Sequence, residues 1–184
     1  TNSRVMTFDS SITSAAGKYA TFYVVGASIT NNRGGTITGE GTLDVTGVTS
    51  GLVNHGTIAP GMSLGTLSID GDLILAADGV LDFEYGTGGV SDLIDVSGDL
   101  TLDGTLDASG AVMEETYTII TYGGTLFDSG LEVVGLPSYL HAELDTVGGQ
   151  VRFQAVPEPA TGLVLALGLA AILDRRFGQR SIAR

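Results

Sequence analysis

Gly56-Thr57-Ile58-Ala59-Pro60-Gly61-Met62-Ser63-Leu64-Gly65-Thr66-Leu67-Ser68-Ile69-Asp70-Gly71-Asp72-Leu73 is the stretch on which the fold turns. Short runs alternate apolar and polar residues, as in Leu67-Ser68-Ile69-Asp70, and Gly, Pro-Gly and Asp break them. Strict alternation is the mark of a half-buried strand, and Gly breaks mark turns. Moving outward, Gly-Thr-Ile/Leu recurs at Gly35, Gly41, Gly56, Gly65, Gly104 and Gly124, and Gly-Asp-Leu at Gly71 and Gly98. Leu73-Ile74-Leu75 and Leu100-Thr101-Leu102-Asp103 continue the strand pattern, with Asp78-Gly79 and Asp103-Gly104 as turn pairs. No helical periodicity precedes Pro159. Many short strands with Gly turns fit either a β-sandwich or a right-handed parallel β-helix. Recurrence of the same triplets favours the β-helix, where inward Leu/Ile and corner Gly stack once per coil. A period of about 20 residues over a body of about 150 predicts roughly seven coils.

Composition narrows the chemistry. Gly is 28 of 184 residues, there is no Cys, and Asp plus Glu outnumber Lys plus Arg by 21 to 8, for a net charge of -13. Acidic surfaces repel phosphate backbones, so nucleic acid is excluded as a partner. Lack of Cys removes disulfides, thiolate metal sites and a thiol nucleophile. No Lys or Arg lies between Gly34 and Val151, yet all acids except Asp9, Glu158 and Asp174 do. Such a body is expected to rest on apolar burial and backbone hydrogen bonds rather than on internal ion pairs.

The chain ends differently. Val156-Pro157-Glu158-Pro159-Ala160-Thr161 leads into the uncharged run Gly162 to Leu173, then Asp174-Arg175-Arg176. The prolines end the β-body, and Pro159 suits the first turn of a helix. Residues 160–173 would make a helix about 21 Å long. That is short of the ~20 residues of a full span and would suit a core helix. It has no polar face for water, however, and arginines follow it, as at the cytoplasmic end of a membrane segment. The predicted organisation is all-β over 1–155, with one hydrophobic C-terminal α-helix in the segment 156–184.

Two resemblances follow from these residues. Gly56 to Leu73, then Ser91-Asp92-Leu93-Ile94-Asp95-Val96, Gly98 to Leu106, and Tyr117-Thr118-Ile119-Ile120-Thr121-Tyr122 resemble the repeat of autotransporter passenger-like β-helix proteins. That resemblance implies a scaffold. Val156 to Thr161 with the apolar run and basic end resembles the PEP-CTERM sorting signal of exported bacterial proteins. It implies that Val156, Pro157, Glu158 and Pro159 are read by an exosortase, an integral-membrane cysteine protease. It also implies that residues 160–173 halt in the inner membrane, with Arg175 and Arg176 as the stop and orientation signal. The product would be released or attached at the cell surface, commonly in exopolysaccharide-producing bacteria. Residues 1–10 are polar, without basic start or apolar run, and no Met begins the chain. A shortened or processed start is therefore expected.

Catalysis is not expected. A lyase base would need Arg or Lys in the body. Paired carboxylates for an inverting hydrolase, about 6.5–9.5 Å apart, have candidates in Asp70 with Asp72, Asp82 with Glu84, and Asp92 with Asp95. Acids at outward strand positions are ordinarily a solvated face. No cofactor is expected. Asp70, Asp72, Asp92, Asp95, Asp99 and Asp103 leave a weak surface calcium site open, but without a calcium-binding repeat. Glu114-Glu115 reads as a charged turn, His55 and His141 as structural or surface residues, and Tyr117 and Tyr122 as strand packing. A binding module, such as an adhesin or polysaccharide binder, is the alternative role, and a polysaccharide-degrading enzyme the third.

Overall fold

The computed structural model describes residues 29–158 with their side chains. N-terminal to these it describes only the backbone of Ser28 and of strands Val5–Phe8, Ile12–Thr13 and Ala20–Gly26. Among the described residues it is an all-β parallel solenoid of three sheets. In chain order the first coil is β1 (Val5–Phe8), β2 (Ile12–Thr13) and β3 (Ala20–Gly26). The second is β4 (Ser28–Asn31), β5 (Thr36–Gly39) and β6 (Gly41–Val48). The third is β7 (Leu52–Asn54), β8 (Thr57–Pro60) and β9 (Thr66–Asp70). The fourth is β10 (Leu73–Leu75), β11 (Val80–Asp82) and β12 (Leu93–Val96). The fifth is β13 (Leu100–Leu102), β14 (Thr105–Asp107) and β15 (Thr116–Tyr122). After β16 (Leu126–Asp128) and β17 (Glu132–Val134), the chain turns back through β18 (Leu140–Asp145) and β19 (Gln150–Pro157). Equivalent strands of successive coils pair in parallel; β19 pairs antiparallel with both β15 and β18 and caps the third sheet.

The period-two pattern puts one row of apolar residues inside each sheet. Ile29, Leu52, Leu73, Leu100 and Leu126 form one column. Ile37, Ile58, Leu81, Leu106 and Val133 form a second, and Leu67, Ile94, Ile120 and Val151 a third. Most of these are fully buried, and each such side chain contributes about 1.5–3 kcal/mol. Three of the Gly-Thr-Ile/Leu triplets, at Gly35, Gly56 and Gly104, stack in the second column; the others fall on different sheets. Coils are longer than the expected 20 residues: Leu73 pairs with Leu52, but Leu100 with Leu73. The added length goes into the corner between the second and third sheets, a single residue (40) in the second coil but 83–92 in the fourth. Fewer coils than seven therefore fit.

Two corner motifs gain a physical reason. The Asp72 carboxylate accepts the Asp99 N–H at 2.8 Å, and that of Asp99 accepts the Thr125 N–H at 2.6 Å. Gly-Asp-Leu thus ties each coil to the next through its own carboxylate. At another corner Asn31 and Asn54 are fully buried and stacked, with Asn31 Nδ2 donating to Asn54 Oδ1 at 2.7 Å.

Acids of the stretch without Lys or Arg pair with arginines on its two flanks. Arg33 Nε lies 2.6 Å from Asp78 Oδ2, and His55 Nδ1 lies 2.6 Å from Asp78 Oδ1. The Arg33 guanidinium, with His55, holds the Asp78 carboxyl down at about 2. Arg152 pairs with Asp145 at 3.4 Å.

Candidate sorting site

The end of the body is built by β18 and β19. In β19, Val151, Phe153 and Ala155 point inward and are fully buried, while Gln150, Arg152 and Gln154 face outward. Burial stops at the Pro-Glu-Pro motif: Val156 is half-buried, and Pro157 and Glu158 are exposed. The strand nevertheless runs on. Val156 pairs with His141 and Pro157 with Leu140. The Glu158 N–H donates to the Tyr139 carbonyl at 2.8 Å. Pro157, which has no N–H, is the last residue of the strand. His141 lies between two carboxylates, its Nδ1 3.9 Å from Glu158 Oε1 and its Nε2 3.8 Å from Glu143 Oε1. Nδ1 itself is buried and has no hydrogen-bond partner. Of the expected sorting residues, the structure therefore brings Val156, Pro157 and Glu158 onto β18. Pro159, the helix expected over residues 160–173, and Arg175 and Arg176 lie outside the described residues.

The carboxylate pairs weighed for catalysis have other surroundings. Asp92 is 1% exposed, and its two oxygens accept the Gly65 and Glu84 N–H groups, both at 2.8 Å. It is a clamp between the corners of the third and fourth coils. Asp95 is exposed and accepts from Thr121 Oγ1 one coil on. Asp72 serves the corner described above, and Asp70 faces solvent. Asp82 and Glu84 flank buried Phe83 and, with Asp92 and the Pro60–Ser63 turn, line an open cavity of about 230 Å³. Among the described residues, no three His, Asp or Glu side chains are grouped to hold a metal ion.

Asp92 sets a pH dependence. Burial pushes its carboxyl up to about 6, against its two backbone hydrogen bonds. In the unfolded chain it titrates near 3.9. A raised pKa favours the folded state while the proton is bound, so this stabilisation is full below about pH 4 and is lost as the pH rises through about 6. Unfolding in urea should show about 2 kcal/mol less stability at pH 7 than at pH 4 from this group, and Asp92→Asn should remove that slope. An unchanged slope in the variant would assign it to other groups.

Glu114-Glu115 forms the expected charged turn, with Glu114 at φ 65 and the Glu115 N–H donating to the Val112 carbonyl at 3.4 Å. Glu115 is also a loop clamp, its carboxylate accepting the Gly88 and Gly89 N–H groups at 2.9 and 3.0 Å and the Tyr117 hydroxyl at 3.1 Å. Those hydrogen bonds hold its carboxyl below the usual range. Separations of 26 and 27 residues hide this contact, but they equal one coil, so the repeat length could have found it.

A parallel β-solenoid whose last strand runs out into exposed Pro157 and Glu158, at the start of the Pro-Glu-Pro motif, defines a class of β-solenoids with a C-terminal processing signal. Comparison gives both halves a counterpart. Residues 155–176 match the model of the PEP-CTERM protein-sorting motif, and the chain carries that motif. The chain is also 42% identical over 114 residues to the adhesin BmaC autotransporter of Brucella suis biovar 1 (strain 1330). That match spans 56% of this chain and 3% of the adhesin's length. The sorting motif implies an exosortase as processing partner and export to the cell surface.

Proposed function

We propose that the chain is an exported, non-enzymatic scaffold, delivered to the cell surface by exosortase processing at Val156-Pro157-Glu158-Pro159. Residues 160–173 act as a transient inner-membrane helix, and Arg175 and Arg176 hold its end in the cytoplasm. The body works without a cofactor and contributes to extracellular matrix, in association with exopolysaccharide. The observation carrying this reading is the sorting motif placed where the buried face of β19 ends. Ala155 is the last core residue of the strand, so a cut beyond it leaves the solenoid whole.

The second reading is adhesion, favoured by the identity with an adhesin. The solenoid flank would then be the binding surface.

The test is the C-terminus of the mature protein, by intact mass and terminal-peptide mapping of surface and medium fractions. Loss of everything beyond the Pro157-Glu158-Pro159 region is expected. An intact Arg184 in the soluble fraction would overturn the sorting reading, and an intact Arg184 in the membrane would reduce it to a plain anchor. Retention of the purified body on a host polymer would decide for adhesion.

A further inference from the structure

We propose that β18 is a cover strap for the sorting motif: its Tyr139–His141 end holds Val156 to Glu158 on the folded body, and processing proceeds only when that end lifts. The proposal rests on reading the motif as a processing signal, and adds how the body controls access to it.

The argument is one of backbone accounting. Antiparallel pairs alternate between hydrogen-bonded and non-hydrogen-bonded. Glu158 N–H bonds the Tyr139 carbonyl, so the pair Tyr139 with Glu158 is hydrogen-bonded. Two residues back, the pair of His141 with Val156 is then hydrogen-bonded too. Between them, Leu140 with Pro157 is not. The other edge of β19 agrees with this phase, since the Ala155 carbonyl points away from β18 and accepts the Glu114 N–H at 2.8 Å. Within Val156-Pro157-Glu158, both N–H groups therefore face β18. Pro157 has none. The open edge of these three residues offers one carbonyl, that of Pro157, and no donor.

A protease that grips an extended substrate does so through main-chain hydrogen bonds, as in strand addition to a sheet edge. Here those groups are already used by Tyr139 and His141. The outer faces of Pro157 and Glu158 reach solvent, so the motif can be touched but not paired. His141 adds a side-chain contact, its buried Nδ1 facing the Glu158 carboxylate. It is a positioning residue for Glu158.

Because the chain has no Cys, a single engineered disulfide can fasten the strap. Ala142 and Ala155 pair directly in a non-hydrogen-bonded position next to the motif. Their Cα separation of about 4.5 Å fits a disulfide. The experiment is pulse-chase processing of the full chain in a host with an exosortase, for wild type, Ala142→Cys/Ala155→Cys, and His141→Pro. Each is followed with and without a reductant. Oxidised double-Cys protein should be processed at least tenfold more slowly than the same protein reduced, while wild type responds to reductant no more than the enzyme itself does. His141→Pro, which removes the N–H facing Val156, should be processed several-fold faster. Hydrogen exchange at the Val156 and Glu158 amides should be slow in wild type and fast in His141→Pro, with the core amides unchanged. Equal processing of the oxidised and reduced double variant would overturn the strap while leaving the sorting reading intact. Failure of wild type itself to be processed would overturn both.

Discussion

Phe153→Ala is expected to destabilise the body by about 3–5 kcal/mol, the usual cost of emptying a fully buried aromatic site. Phe153 is fully buried on β19, where the chain has reversed direction to cap the third sheet. Its ring stacks on Tyr117 at 6.0 Å and meets the edge of Tyr85 at 6.0 Å, and those two tyrosines meet at 5.0 Å. Both hydroxyls are used: Tyr85 donates to the Asp107 carbonyl at 3.1 Å, and Tyr117 accepts the Val112 N–H at 2.9 Å. Burial pushes both phenols above their ordinary range. Losing the ring leaves a cavity between capping strand and last coil, so the cap should loosen before the central coils. Urea unfolding gives the total. Hydrogen exchange should show the loss first in β18 and β19. Phe153→Leu should recover more than half. A change below 1 kcal/mol for the alanine variant would mean that the aromatic cluster does not hold the cap.

Gly56→Ala is expected to cost about 3 kcal/mol, near the upper end of ordinary overpacking. A Cβ at Gly56 would run into the Gly35 carbonyl and lie 2.5 Å from that of Asn32, both backbone atoms of the coil before. The same corner holds the buried Asn31 and Asn54 stack, and Asn54 Nδ2 donates to the Gly56 carbonyl at 3.0 Å. Moving this backbone therefore disturbs buried hydrogen bonds as well as packing. Gly34→Ala is the control. Gly34 has φ +82 but nothing near its missing Cβ, so only conformational strain of about 1 kcal/mol is expected. Equal losses in the two variants would show that chain conformation, not the approach of neighbouring coils, sets the need for glycine.

Legibility of the fold followed how local each signal is. Alternation along Leu67 to Asp70 and Leu100 to Leu102 marks strands because side chains on successive residues point to opposite faces. Repetition of Gly-Thr-Ile/Leu favoured stacking coils, and three of the six triplets do share a column. A period of about 20 residues is too short because corner loops such as 83–92 vary without altering the strands. Contacts one coil apart were not legible as pairs. Arg33 with Asp78 and Glu115 with Gly88 need the register before either partner can be assigned. Likewise, Asp92 and Asp95 look alike in sequence, and only the turn at Gly65 makes one a buried clamp.

For function, the order Pro-Glu-Pro, apolar run and arginines is contiguous, and so the sequence determined the sorting motif by itself. It likewise determined the all-β class and favoured a solenoid over a sandwich, since strand alternation and its repetition are written along the chain; the parallel pairing of successive coils decided between the two. Tertiary structure decided where that motif begins in space: on β18, with its two amide donors facing Tyr139 and His141. No local pattern encodes this, because the partner strand runs antiparallel and its register is set by how Phe153 and Ala155 seat in the core.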